Sequence, residues 1–179
     1  MSQTAQSAPP AEVDTKIAPR RDLAFASFDE VSEDLDRIEA SLNAGALTAT
    51  GNWTPGQNFE HLAKFLRFAY DGFPSKAPPP IRWIARMMLK KKATQSEEPL
   101  PSGFKLPKQA SALLPSDDVG DAEGLALLRE QIARIHAGEA MTQPSPLLGQ
   151  LTHEEWLTLQ RKHMALHLSF LHPQGAPPR

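Results

Sequence analysis

Apolar residues in this chain recur at intervals of three and four in four long stretches, and no stretch reads convincingly as a strand. That spacing is the period of an α-helix, so each stretch should carry one apolar stripe needing a partner to bury it. Residues 28–43 place Phe28, Val31, Leu35, Ile38 and Leu42 on one stripe, between a Ser27/Glu30 capping box and Gly45. The second stretch, to about Tyr70, opens on Thr54, Pro55 and Gln57, a capping box with proline at the first helical position. Its expected buried side is Phe59, Leu62, Ala63, Leu66 and Ala69, and its expected wet side Glu60, Lys64, Arg67 and Asp71. Residues 118–137 carry Leu125, Leu128, Ile132 and Ile135, with Asp117, Asp118 and Asp121 at the positive end of the helix dipole and Gly138 as terminator. The last stretch begins at a Thr152/Glu155 capping box and ends at His172, before Pro173.

Prolines, 17 in all, divide these stretches. Residues 1–20 should form a flexible arm, because they offer no pattern to bury. Pro78 to Pro80 predict a stiff extended link, followed by a shorter helix over 81–92 that holds Trp83, Ile84, Met87, Met88 and Leu89. Its closing Lys90, Lys91 and Lys92 suit the negative end of a helix. Residues 93–117 hold four prolines and read as a long loop, of the kind that often lies over a site as a lid. The expected fold is all-α: a four-helix bundle with one extra short helix and a long loop between the second and third bundle helices. Its boundaries would be an arm over 1–20, the bundle over 21–173 and a tail over 174–179. The stretch from Phe73 to Asp118 is long enough for a crossover.

Composition removes several functions. There is no cysteine, so no disulfide framework, thiolate metal site or cysteine nucleophile is available. A net charge of −2 gives no reason to expect nucleic acid or an acidic membrane as partner. No apolar run approaches the roughly 20 residues of a membrane helix. The Arg20-Arg21 pair is followed by an acidic, short segment rather than an export signal, so a cytoplasmic protein is expected.

Histidines are where chemistry enters. His163 and His167 are four apart and project from one helix face. At about 100° per residue, Trp156, Leu159, Leu166 and Phe170 fall within roughly 60° of His163, so both imidazoles sit in an apolar stripe. Buried ring nitrogens need a proton partner or a metal. His61 is a third inward-leaning histidine, near Phe65 and Phe68 on the second helix. Zinc, nickel or iron(II) can take three imidazoles and keep a position open. If the second and last helices run antiparallel, the three rings can meet near one end. A lone inward histidine is ordinarily a hydrogen-bonded core residue, and no glutamate follows His163 as in the zinc-protease motif. Gln57 and Gln160 share the sides of His61 and His163 and could orient a ligand; Trp156 and Phe65 are further candidates to face it. His153 and His172, at the ends of the last helix, read as surface residues.

Three segments carry a resemblance. They are Gly51-Asn-Trp-Thr-Pro-Gly-Gln-Asn-Phe-Glu-His61-Leu-Ala63, then Pro146-Leu-Leu-Gly-Gln-Leu-Thr-His-Glu-Glu-Trp156, then His163 through Phe170-Leu171. Over most of residues 20–172 the chain resembles a bacterial family of the DinB-like metalloenzyme superfamily. The resemblance implies a four-helix bundle whose metal takes one histidine from helix 2 and a His-x-x-x-His pair from helix 4, positions that fall on His61, His163 and His167. Some related members are thiol-dependent transferases or isomerases that use mycothiol or bacillithiol, and others have no known activity. Adjacent histidines are common near the end of helix 4 there, whereas here Leu166 precedes His167.

The expectation is therefore a metal-dependent enzyme with one divalent transition metal (zinc, nickel or iron) per chain, carrying out hydrolysis or thiol transfer on a small molecule. No carboxylate is visibly placed as general base. Expected partners are a small-molecule substrate, a low-molecular-weight thiol among the candidates, and a second copy of the chain as a homodimer; nucleic acid and membrane are not expected. The competing class is a non-catalytic bundle that binds small molecules or proteins and holds the same histidines in its core.

Overall fold

Local signals set the helix starts in the computed structural model, which describes residues 12–96, 98–103 and 108–174. Among these, five α-helices form: α1 Phe28–Asn43, α2 Pro55–Asp71, α3 Pro79–Gln95, α4 Asp121–His136 and α5 His153–Leu168. Ser27 caps α1, and α2 and α5 each open on a complete capping box, Thr54 with Gln57 and Thr152 with Glu155. A short 3-10 helix, Lys108–Leu113, precedes α4.

Side-chain pairs give the helix directions. On α2 and α5, Asn58 faces His167, His61 faces His163 and Phe65 faces Gln160, so the two run antiparallel. On α1 and α4, Asp36 and Glu39 face Arg129 while Ser32 faces His136, again antiparallel. The helices α2 and α4 run parallel: Gly56 N–H donates to Asp121 at one end (2.7 Å), and Arg134 pairs with Asp71 at the other (2.9 Å). Parallel neighbours require a long return, and residues 72–120, which include α3, supply it. The apolar stripes meet in one core, where Val31, Leu35, Ile38, Phe59, Leu62, Leu66, Leu128, Trp156, Met164 and Leu168 are fully buried.

Several expectations are corrected. The last helix stops at Leu168, not His172, because the chain beyond it pairs as a strand: β1 Thr48–Ala49 and β2 Leu171–His172 are antiparallel, Thr48 opposite His172. Phe170 is therefore buried outside the helix. Thus two short strands exist where none was expected. The helix expected over 81–92 is longer, because Pro79 and Pro80 enter its first turn, where proline's missing N–H costs nothing. The helix α4 starts at Asp121 rather than 118. The arm expected to be flexible over 1–20 is tied down from Val13 onward. Val13 pairs through both backbone groups with the Asn52 amide, and Arg21 makes a bidentate bond to buried Asp34 (2.8 Å each) while donating to the Leu168 carbonyl. Residues 1–11 of that arm, residues 175–179 of the tail, and Glu97 and residues 104–107 of the long loop lie outside the described residues. No helix among the described residues is long and apolar enough to cross a membrane.

Candidate metal centre

The antiparallel register of α2 and α5 brings the three expected histidines together. Their ring centroids are 5.1 Å apart for His61–His163, and 4.6 Å for both His61–His167 and His163–His167. The Nε2 atoms of His61 and His163 are 3.3 Å apart. One nitrogen from each ring can be chosen so that all three lie within 4.8 Å of one another. Nitrogens bound at about 2.1 Å to one ion can be no more than roughly 4.2 Å apart, so a small swing of one ring completes the set.

The outer nitrogens are held from behind. His61 Nδ1 donates to the Leu113 carbonyl (2.7 Å), which leaves Nε2 as the lone-pair nitrogen facing His163. Asn58 donates through Nδ2 to the carbonyls of Trp53 and Thr54, which aims its Oδ1 at His167 Nδ1, 3.4 Å away. His163 differs: its Nδ1 is buried and unpartnered, and so is Oε1 of Gln160, one turn earlier on α5. A neutral imidazole whose Nε2 binds a metal must carry its proton on Nδ1, and a carboxamide oxygen is the acceptor such a proton needs. These orphaned atoms fit a metal-bound His163 better than a core histidine already satisfied by hydrogen bonds.

Charge favours ligation as well. His61 is 3 % exposed, and burial pushes its pKa down to about 4 against the partial opposition of the Leu113 bond. Burial does the same to His163 and His167, both well below the ordinary imidazole value, with the neighbouring imidazoles adding to the penalty. All three rings are therefore neutral at pH 7 with a lone pair to give, as a metal ligand requires.

The surroundings are aromatic. Trp53 stacks on His167 (centroids 5.5 Å, planes 11° apart) and lies 4.8 Å from His61, so it roofs the cluster. Phe65 packs edge-on against His163 at 4.5 Å. Trp156 reaches the cluster only through Phe65, and its Nε1 donates to the Gln143 carbonyl; it is core rather than ligand-facing. Gln57 spends both ends of its amide elsewhere, accepting from Thr54 N–H and donating to the Ser116 carbonyl, so the ligand-orienting role expected for it is withdrawn. Gln160 stays beside the site, its Nε2 3.4 Å from the Phe65 carbonyl.

The end of the long loop does lie against the histidines. Leu113 accepts from His61, Leu114 accepts from Lys64 (2.8 Å), and Ser116 donates through N–H and Oγ to Glu60. Glu60, expected on the wet side, is thus buried. Burial would raise its pKa, but the Ser116 bonds and Lys64, 2.9 Å away, outweigh that and hold it below the usual carboxylate value. His153, read as a surface residue, accepts the Met141 N–H (3.2 Å) and is half-buried. Sequence reasoning passed over Asn58, although it lies three residues before His61 and so on the same face, and over Trp53 as more than a flanking residue.

No curated protein and no solved structure matches this chain. A family described as proteins of unknown function (DUF1569) matches residues 17–174, which contain all five helices and all three histidines of the cluster. The chain belongs to the DUF1569 family.

Proposed function

We propose that the protein is a four-helix bundle metalloprotein of the DinB-like kind, with α1, α2, α4 and α5 as the bundle and one divalent transition metal held by His61, His163 and His167. The observation that carries this reading is the convergence of three neutral imidazoles from two helices, two of them oriented by outer hydrogen bonds and the third left with an orphaned Nδ1, with an orphaned Gln160 Oε1 one turn earlier on the same helix. Zinc, nickel and iron(II) all suit an imidazole set. Such an ion would supply Lewis acidity, drawing the pKa of a coordinated water or thiol toward neutrality.

The chain's own residues favour a thiol substrate over water. No carboxylate joins the histidine cluster among the described residues, and Glu60 is committed to Ser116 and Lys64. Without a general base, the nucleophile that ionises more easily has the advantage: a thiol starts near pKa 8.5, bulk water near 15.7. Trp53 and Phe65 give the approach to the cluster an apolar lining that limits water. We therefore propose thiol transfer on a small molecule, in the cytoplasm, with hydrolysis second.

The test is metal content. Untagged protein should carry about one divalent transition metal per chain, as a single three-imidazole site requires. His163→Ala should lose that metal, keep its helical circular dichroism, and lose on the order of 1–3 kcal/mol of stability. Wild-type protein that takes up neither zinc nor nickel and ignores chelator would instead be a non-catalytic bundle with core histidines. A wild type that unfolds outright in chelator would make the metal structural.

A further inference from the structure

One helix contradicts the charge balance of the whole chain. Between Pro79 and Gln95, α3 carries Arg82, Arg86, Lys90, Lys91 and Lys92 and no acid, whereas the remaining residues hold 14 basic and 21 acidic side chains. The same helix is the main site of exposed large apolar side chains: Ile81, Trp83, Ile84, Met87, Met88 and Leu89, with Trp83 65 % and Met88 72 % exposed. Ala85 and Ala93 are buried and mark the side that faces the protein along most of the helix; Thr94 is buried in the last turn. At about 100° per residue, Trp83, Ile84, Met87 and Met88 then fall on the opposite side, over roughly 140° of arc. Arg86 and Lys90 border one edge of this outward face, Lys92 lies past the other, and Lys91 ends it on the C-terminal side. Lys90 pairs with Glu155 and Lys92 with Glu98; Arg82, Arg86 and Lys91 make no ion pair among the described residues.

An outward apolar face bordered by cations, with tryptophan at its edge, is the pattern of a helix that lies in the plane of a membrane surface. We propose that α3 docks the protein on an anionic phospholipid bilayer. Trp83, Ile84, Met87 and Met88 would enter the headgroup boundary, and Arg86 and Lys91 would meet lipid phosphates and carboxylates. Charge decides between occupants. A second copy seated face to face on α3 would bring two acid-free cationic helices together, whereas an anionic bilayer complements one such helix and repels the acidic remainder of the chain, which fixes the orientation. The net charge of −2 hides this segregation and is why the sequence alone argues against a membrane partner.

The experiment is flotation of the full-length protein with vesicles of phosphatidylcholine, alone or mixed with phosphatidylserine, at low and high salt. The protein should float with the phosphatidylserine vesicles, release in salt, and leave neutral vesicles largely unbound. Lys91→Glu changes the local charge by two, and at about fivefold per charge it should weaken binding roughly 25-fold. Trp83→Ser with Met87→Ser should weaken it by at least about tenfold, from lost apolar burial. Trp83 fluorescence should be quenched by bromine-labelled lipid in the wild type, and this quenching should be missing in Trp83→Phe. These residues are exposed, so circular dichroism and metal content should not change. Absence of flotation at low salt would overturn the proposal. So would equal binding to both vesicle types, or a dimer in solution that the Trp83/Met87 variant converts to monomer.

Discussion

Gly124→Ala should loosen the candidate metal centre from the opposite side of α2. Gly124 lies in the first turn of α4, where a Cβ would sit 2.4 Å from the backbone oxygen of Gly56 and 3.0 Å from its carbonyl carbon. An ordinary contact begins near 3.4 Å, and the obstacle is backbone, so α2 and α4 must separate by about 1 Å. Overpacking of this kind costs about 1–3 kcal/mol. The same shift stretches the 2.7 Å bond from Gly56 N–H to Asp121, worth on the order of 1 kcal/mol. Alanine in place of glycine returns about 0.8–1 kcal/mol of helix propensity. The net is a loss of roughly 1–3 kcal/mol, where propensity alone predicts a gain. The propensity term can be read separately from Ala126→Gly, at an exposed position of the same helix, which should cost about 1 kcal/mol. Because Gly56 precedes Asn58 and His61 by less than two turns, the displacement also moves a ligand and the residue orienting another. Metal affinity should fall about tenfold, the lower range for disturbing outer partners of a ligand. Urea unfolding by circular dichroism and competition against a chromophoric chelator give the two numbers. A Gly124→Ala protein that is more stable than wild type by about 1 kcal/mol, with unchanged metal affinity, would refute the close α2–α4 contact and its coupling to the site.

Acid should destabilise the metal-free protein. The folded-state pKa of His61 is depressed from 6.5 to about 4, so below pH 6.5 the unfolded chain binds a proton that the folded one does not; stability is full above that pH and is lost progressively down to about 4. At pH 5 His61 alone accounts for about 2 kcal/mol, and His163 and His167 act with the same sign; urea melts in chelator that are flat from pH 7 to 5 would refute it. Asn58→Leu removes the acceptor aimed at His167 Nδ1 and should weaken metal binding about 10- to 100-fold with helical content retained, measured by chelator competition. Unchanged affinity would mean that Asn58 does not orient the ring.

What the sequence made legible was local. The starts of α1, α2 and α5 come from a Ser27 cap and two capping boxes whose partners lie three residues apart, so a short window contains the whole signal. The His163/His167 pair is readable for the same reason. The end of α5 was not, because Leu171–His172 leaves the helix to pair with Thr48–Ala49, more than a hundred residues away. Glu60 shows the same limit on a helical wheel. It falls on the polar side of α2, yet Ser116 arrives from the long loop and buries it. Net charge has a different limit, since a total of −2 does not register five cations gathered on one helix.

The histidine triad itself needed one number that no local pattern contains, the register of α2 against α5. With Asn58 opposite His167, His61 opposite His163 and Phe65 opposite Gln160, one register sets a ligand, the residue behind another ligand, and the aromatic wall. Sliding α5 by one turn, about 5.4 Å, would put one histidine of the pair in the other's place and carry the other out of reach of His61, since two ligands of one ion stand no more than roughly 4.2 Å apart. Contacts that do not involve the imidazole rings also hold α5 in place. Arg21 spans Asp34 on α1 and the Leu168 carbonyl at the end of α5, and Arg161 donates to the Ala26 carbonyl just before α1, so α5 is pinned lengthwise at two levels. Lys64 and Glu60 then hold residues 114–116 against α2, which delivers the Leu113 carbonyl to His61. Contacts outside the rings thus help to position the cluster, and so the helices can assemble before any metal is bound.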